Sequence, residues 1–156
     1  MIMTIPDGTI IVREGEANMD MYKIIHGHVE AYSGYGTDHE NIIGILSTGK
    51  YFGEIGLLTQ KPSIYTIIAY KDVVVMRITM ADMESYIKNN QRDILNIMKE
   101  MAIATCNLKY SMDRFVSDII SGKITEEEMK LYKEKLSKQF IKESLFDMEI
   151  NSENVK

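Results

Sequence analysis

The residues with the clearest capacity for chemistry form one glycine-rich run, Phe52-Gly53-Glu54-Ile55-Gly56-Leu57-Leu58. Gly53 suits the start of a short helical turn, so that the backbone amides that follow can point at an anion. Phe52 is placed to fill the core beside that turn. The run therefore predicts a site for a small negatively charged molecule, and its predicted ligand-binding residues are Gly53, Glu54, Ile55, Gly56 and Leu57.

A second group of polar side chains alternates along a predicted strand and so shares one face: His26, His28 and Glu30. These residue types bind transition metals, and cupins, which are β-roll enzymes, use a similar set. The spacing differs, because a cupin has its Glu several residues after the second His and a further His on a later strand. Val29 and Ala31 are the natural inward residues, so we interpret the histidine face as solvated and expect no metal.

No arrangement of nucleophile and base is visible in the sequence. Ser, His and Asp occur without an elbow motif, and Cys106 has no neighbouring His in sequence. As a single cysteine it cannot form an internal disulfide, and its helical surroundings predict a buried structural thiol. We therefore predict a protein that is not an enzyme, in a reducing compartment.

The totals of the chain fit one ordinary domain of 156 residues. Its formal net charge is −5 and its pI is near 5.2, which argues against a surface that neutralises nucleic-acid phosphates. Neither a cationic, apolar leader nor a run of about 18 apolar residues occurs. The sequence predicts a cytoplasmic protein without membrane or nucleic-acid contacts.

The glycine-rich run lies in a half of the chain with an all-β rhythm. From Thr9 to Ile78, short runs rich in Ile, Val and Tyr are broken by Gly, Asn, Asp or Ser. Strands this short need a sandwich, roll or barrel to bury their apolar faces. The predicted strands are Thr9–Val12, Met21–Ile25, His28–Tyr32, Asn41–Leu46, Ser63–Ala69 and Val73–Ile78, with a hairpin loop over Ser33–Asp38.

From Thr79 the period becomes helical. Thr79 and Asp82 predict the cap of a short helix, and a longer helix runs from Gln91 to Ser121, where Gly122 supplies a stop. Its apolar residues are spaced alternately four and three apart, as in a heptad seam. A helix of roughly 30 residues is about 45 Å long, longer than a small roll can cover, so we predict a homodimer; the alternative is that the stripe lies along its own roll. The seam residues are Ile94, Met98, Met101, Thr105, Leu108, Met112, Phe115 and Ile119.

Beyond Gly122, Thr125 and Glu128 form a capping box for a last amphipathic helix. We interpret it as a docking or dimer-bracing helix, with Met129, Tyr132, Leu136 and Phe140 on one face. The predicted organisation is a β-roll with a short helix at 1–90, a dimerisation helix at 91–122, and the terminal helix with a frayed tail at 123–156. Together they form one structural domain.

The order of glycines and turns resembles the cyclic-nucleotide-binding domain shared by catabolite-activator-type regulators and protein kinase A regulatory subunits. The matching residues are Gly8, Gly15, the segments Tyr22–Val29 and Gly49–Leu58, Pro62 and Ala69. The resemblance covers roughly residues 6 to 120 and implies a mainly β fold with C-terminal α structure. In this fold a double-stranded β-helix (jelly roll) is followed by the long dimerisation helix and a short terminal helix. It also implies that the run Phe52–Leu58 is a phosphate-binding cassette. In the family, the backbone amides of this cassette face a cyclic phosphate, and the residue at the position of Glu54 binds the ribose 2′-hydroxyl.

The chain departs from the family's nucleotide binders after the cassette. The family places an Arg just after the cassette proline to clamp the phosphate, and this chain has Ser63 there. Ile64 and Tyr65 replace small residues, and Tyr65 can project its hydroxyl toward the pocket. A guanidinium usually makes two charge-assisted hydrogen bonds to a phosphate, each worth roughly 1.5 to 3 kcal/mol. Its absence predicts an affinity lower by at least about tenfold to a hundredfold. In the family the dimerisation helix also touches the base, and Lys109 and Tyr110 are the candidates by position.

We therefore predict a dimeric regulatory module that senses a small anionic ligand, a cyclic nucleotide or another, without high affinity for cyclic AMP. We expect no winged helix–turn–helix, because the residues after Gly122 are too few and too acidic for it. The alternative is a ligand-free dimeric scaffold, which Ser63 and Tyr65 favour; a cupin-like metal enzyme is less favoured. If Tyr65 and its neighbours fill the hollow with their own side chains, only the scaffold remains.

Overall fold

The computed structural model describes residues 1–122, 125 and 127–131, and it consists of an antiparallel β-roll followed by a long helix. One sheet contains all six strands of the roll. The strands are β1 (Ile2–Ile5), β2 (Ile10–Val12), β3 (Asp20–Ser33), β4 (Asn41–Ser47), β5 (Tyr51–Phe52) and β6 (Thr66–Thr79), and the helices are α1 (Glu54–Thr59), α2 (Met83–Asn89) and α3 (Gln91–Ile120). The predicted jelly-roll fold with a long C-terminal helix is confirmed.

The two longest strands, β3 and β6, form the central ladder of the sheet. They pair antiparallel from Asp20 with Thr79 to Tyr32 with Thr66. The sequence predicts two separate strands in place of each, and the predicted ends inside β3 and β6 are wrong. Gly27 has a φ of 89° and Lys71 a φ of 58°, and the ladder shifts register there. Both positions are therefore bulges that bend a continuous strand.

Two short strands are absent from the sequence prediction. β1 pairs with β6 along Ile2 to Ile5, and β5 pairs with β3, where Lys23 is the register partner of Tyr51. β5 has only two residues, too few to show an alternating pattern. Its position matters for the site, because it delivers the chain directly into the glycine-rich run.

The core of the roll consists of side chains from the inner faces of these strands. Phe52 is completely buried and stacks on Tyr22 with the ring centroids 5.0 Å apart. Val29 and Ala31 are also completely buried, so their predicted inward orientation is confirmed. Burial of each of the larger side chains contributes about 1.5 to 3 kcal/mol to the free energy of unfolding.

The helix boundaries follow the predicted signals. The Thr79 backbone amide and hydroxyl both donate to the Asp82 carboxylate, at 3.0 and 2.7 Å, and a 3-10 turn at Met80–Asp82 leads into α2. α3 ends beside Gly122, which has a φ of 64°. The Thr125 backbone amide donates to the Glu128 carboxylate at 2.7 Å, and the Glu128 backbone amide donates to the Thr125 hydroxyl oxygen at 3.4 Å, as the predicted capping box requires. Residues 127–131 are helical, while the predicted positions Tyr132, Leu136 and Phe140 lie outside the described residues.

The chain divides into two compact units, Met1–Ile97 and the residues from Met98 onward. The first unit holds the roll, α1, α2 and the first turns of α3. In the second unit most side chains of α3 are exposed, and Cys106 is among them. The predicted buried thiol is therefore wrong, because Cys106 lies beside the seam on an open helix surface. Among the described residues, no helix is long and apolar enough to cross a membrane.

Candidate ligand-binding site

The predicted cassette forms a tight turn and the short helix α1, and its two glycines permit close packing. Gly53 precedes α1 with a φ of 83°. A Cβ atom on Gly53 would meet the Asp20 carbonyl oxygen, and one on Gly56 would meet the Asn18 carbonyl oxygen, both at clashing distance. The Asn18 side-chain amide donates to the Asp20 backbone carbonyl at 2.7 Å. The glycines thus fix α1 directly against the segment that leads into β3.

Glu54 begins α1 and its side chain is directed into the protein. Only 6% of the residue is exposed. A carboxylate is costly to bury unless hydrogen-bond donors meet it, so a buried carboxylate is a candidate for binding a hydroxyl group. Of the other cassette residues, Leu57 belongs to the core and Ile55 is half-buried.

Ser63 occupies the position where the resemblance implies a phosphate-clamping Arg, and it is buried. Its backbone amide donates to the Glu16 carbonyl at 2.9 Å, and its carbonyl accepts from the Gly15 amide at 2.8 Å. Its hydroxyl donates to the Tyr65 carbonyl at 2.8 Å. The side chain is therefore bonded within its own turn and brings no positive charge to the site.

Tyr65 is the largest side chain at the site and is 1% exposed. The Gly53 amide is directed at its hydroxyl oxygen, with the nitrogen 3.5 Å away. Burial, and then the neighbouring charge of Glu54, raise the pKa of Tyr65 well above its usual value, so the hydroxyl keeps its proton. Ile64 faces outward and is 38% exposed. The structure thus brings Gly53, Glu54, Ser63 and Tyr65 together, and the Tyr65 ring lies beside the first cassette amide.

The two candidates on the long helix belong to the second compact unit. Lys109 and Tyr110 are both exposed on α3, and the Lys109 ammonium forms an ion pair with Asp113 one turn further on. Their contact with a ligand base stays a prediction.

The histidine face makes ring and hydrogen-bond contacts within the roll. His28 stacks on Tyr70 with the ring centroids 4.7 Å apart, and His26 is exposed. The Tyr32 hydroxyl donates to Glu30 at 2.7 Å, and this bond raises the pKa of Tyr32 to about 12. In the described part of the chain no three His, Cys, Asp or Glu residues are gathered as metal ligands would be.

A polar cluster that the sequence analysis missed joins the roll to the start of α3. It consists of Lys23, Tyr51, Tyr86 and Asp93, and we call it the Asp93 cluster. The Lys23 ammonium lies 2.7 Å from the Asp93 carboxylate, which also accepts from the Tyr86 hydroxyl at 3.3 Å. The Lys23 hydrogen bond lowers the pKa of Asp93, while burial, followed by the Tyr86 hydrogen bond, raises the pKa of Tyr51. Lys23 and Asp93 are 70 residues apart, so no local pattern pairs them.

The chain is similar to a known domain family and to several solved structures. The family model described as "Cyclic nucleotide-binding domain" matches residues 2–90. The catabolite activator protein of Thermus thermophilus superposes with a TM-score of 0.65 at 19% identity, over 74% of this chain and 55% of that one. The regulatory domain of Toxoplasma gondii protein kinase A, solved with cAMP, gives 0.53 at 23% identity over 63% and 37%.

A third similar structure carries a different description of its ligand dependence. It is the regulatory subunit of a cAMP-independent protein kinase A from Trypanosoma brucei, with a TM-score of 0.53 and 19% identity over 64% of this chain and 35% of that one. At these identities the structures show the fold. The chain spans 8% to 16% of the length of the curated relatives that it matches. With more than half of its residues matched by the family model and the fold shared, the chain belongs to the cyclic nucleotide-binding domain family.

Proposed function

We propose that this chain is a regulatory domain of the family that does not bind cyclic nucleotides with high affinity. The observation that carries the proposal is the bonding of Ser63, whose hydroxyl is engaged by the Tyr65 backbone. A cyclic phosphate that is buried at this position loses its hydrating water, and a cationic side chain is needed to compensate for that loss. The Ser63 hydroxyl is neutral and already hydrogen-bonded, so it does not supply a positive charge.

The cassette retains the features that favour an anionic guest, and this supports a sensory role. Gly53 and Gly56 keep α1 in place, and Glu54 lies buried in the first turn of α1, where it is proposed to meet a hydroxyl of the ligand. The ligand is a cyclic nucleotide bound weakly or another small anion, held at Gly53, Glu54, Ile55, Gly56 and Leu57 with Ser63, Ile64 and Tyr65 at the rim. Lys109 and Tyr110 stay the proposed ligand contacts on the long helix. The Tyr65 hydroxyl meets the Gly53 amide in this structure, so the sensory role requires the Tyr65 ring to move away when a ligand binds.

The dimer is part of the same proposal. Met98, Met112 and Ile119 of the seam are 61%, 51% and 45% exposed, which is unusual for large apolar side chains that recur on one helix stripe. Pairing of two α3 helices through the seam residues buries this stripe in the geometry that heptads favour.

The proposal is tested with four proteins in a double-mutant cycle: wild type, Ser63→Arg, Tyr65→Ala and the double variant. Cyclic AMP and cyclic GMP are titrated into each by calorimetry, with circular dichroism to establish folding. We expect weak binding by the wild type and each single variant, and a gain of about a hundredfold in the double variant. Tight binding by the wild type contradicts the proposal. Tyr70→Ala, at a surface tyrosine that is 43% exposed, is the matched control.

A second candidate function is a dimeric scaffold that binds no small ligand, and the burial of Tyr65 favours it. The two candidates differ in one measurement, a thermal-shift screen of the wild type with cyclic nucleotides, phosphorylated metabolites and carboxylates. A ligand that binds the native state raises the melting temperature with the logarithm of its excess over Kd. A shift from any of these compounds supports the sensor, and no shift at millimolar concentrations supports the scaffold.

A further inference from the structure

The Asp93 cluster connects the chain segment just before the cassette to the first turn of α3. We propose that Asp93 is a positioning residue that couples the two, so that loosening the start of α3 also loosens the cassette. The inference deepens the proposed regulatory function by naming how the site reaches the long helix, and it rests on that function for its biological use. Its contacts all lie within the first compact unit, Met1–Ile97.

The polar part of the connection is a chain of hydrogen bonds across four elements. Asp93 lies in the first turn of α3 and accepts from Lys23 of β3 and from Tyr86 of α2. The Tyr86 hydroxyl lies 3.0 Å from the hydroxyl of Tyr51, so Tyr86 links Tyr51 to Asp93. Lys23 also lies over the Tyr51 ring, 5.5 Å from its centroid. Tyr51 stands two residues before Gly53. We therefore expect a displacement of Asp93 to shift the backbone at the start of the cassette through Tyr86 and Tyr51.

The apolar part of the connection lies among the same elements. Leu57 of α1, Tyr86 of α2 and Ile97 of α3 belong to one buried cluster with Met21 and Ile78. Ile94 and Tyr51 pack against its margin. The cassette helix and the first turns of α3 thus share both a packed core and a polar network, and such contiguous contacts are what carries energetic coupling between sites.

The experiment is amide hydrogen exchange, measured by mass spectrometry on the full chain, because it reports local opening at each segment separately. Asp93→Asn keeps the shape of the side chain and removes the charge that holds Lys23. We expect exchange to become about five- to tenfold faster in residues 91–97 and also in residues 51–58, as loss of a charge-assisted bond predicts for a partly exposed pair. Amides of β4 should not change.

The matched control is Asp113→Asn, which breaks the other lysine–aspartate pair of α3, at a site where both side chains are largely exposed. It should leave residues 51–58 and 91–97 unchanged. An Asp93→Asn protein that exchanges faster in residues 91–97 alone overturns the proposal, because Asp93 is then only a local contact. No change in either segment overturns it too.

A second variant tests the route through Tyr51. Tyr51→Phe keeps the ring and removes the hydroxyl, and we expect both segments to exchange about two- to fivefold faster. If residues 91–97 are unaffected, the proposed route is wrong. The exchange rates are measured without ligand, so failure of the ligand titrations above leaves this test intact and the two failures are distinguishable.

Discussion

The two ends of α3 place similar apolar side chains in different surroundings. Ile97 is 7% exposed in the cluster with Leu57 and Tyr86, whereas Met112, further along the helix, is 51% exposed. The same contrast holds for ion pairs, since Lys23–Asp93 is mostly shielded and Lys109–Asp113 is open to solvent. The roll packs against the first turns of the helix, whereas in the part of the chain that the structure describes most side chains further along the helix are exposed.

The largest effect on this comparison is expected at Ile97. Ile97→Ala removes buried methyl groups and leaves a cavity in the cluster, and should lower the free energy of unfolding by about 2 to 5 kcal/mol. Leu95→Ala is the control, because Leu95 is 64% exposed on the same helix and its loss should cost less than about 0.5 kcal/mol. Urea unfolding at pH 7 measures both. Equal losses would show that the two positions do not differ in burial.

The next effect concerns the uncovered stripe. Met112→Glu puts a carboxylate into the proposed seam of each chain and should raise the dimer dissociation constant at least about a hundredfold, because each buried charge costs several kcal/mol. Ser117→Glu, on an exposed position off the seam, should leave association unchanged. Sedimentation equilibrium gives both constants. A wild type that is monomeric at every concentration contradicts the dimer.

Local signals in the sequence predict much of this fold. Thr79 with Asp82, and Gly122, mark helix ends, and the alternation of apolar residues marks most strands. Gly27 leads to a wrong prediction of a strand end, because a glycine with positive φ can also form a bulge inside a long strand. The pattern does not reveal β5 either, since two residues carry no period.

At the candidate site, the sequence predicts the contacts between residues that are close along the chain but not those between distant residues. Gly53, Gly56 and Glu54 are adjacent in sequence, and Ser63 and Tyr65 share one turn, so a motif is enough to group them. The motif does not tell which way Tyr65 points, because its burial depends on how the roll closes around it. The Asp93 cluster cannot be predicted from the sequence for the same reason, since its members come from four elements and meet only after folding.

A smaller effect should appear in the pH dependence of stability. The Lys23 hydrogen bond lowers the pKa of Asp93 below its ordinary value, and Lys23, Tyr51 and Tyr86 are the titratable groups that face it. The stabilisation is present above the unfolded pKa of about 3.9 and is lost as the pH falls through the lower folded pKa. Between pH 7 and pH 3 the wild type should lose about 1 kcal/mol more than Asp93→Asn. Parallel pH profiles in urea unfolding would mean that the pair contributes nothing.

The smallest effect is expected at the exposed pair of the same helix. Lys109 and Asp113 are 68% and 59% exposed in their side chains, so water screens their attraction and a flexible lysine loses entropy in forming the pair. Lys109→Ala should therefore change the free energy of unfolding by less than about 0.5 kcal/mol, and Asp113→Ala by a similar amount. The same Lys109→Ala protein can be titrated with any ligand that the thermal-shift screen identifies. Weaker ligand binding with unchanged stability would assign Lys109 to the ligand, whereas a stability loss as large as that at Asp93 would remove the distinction between the two ends of α3.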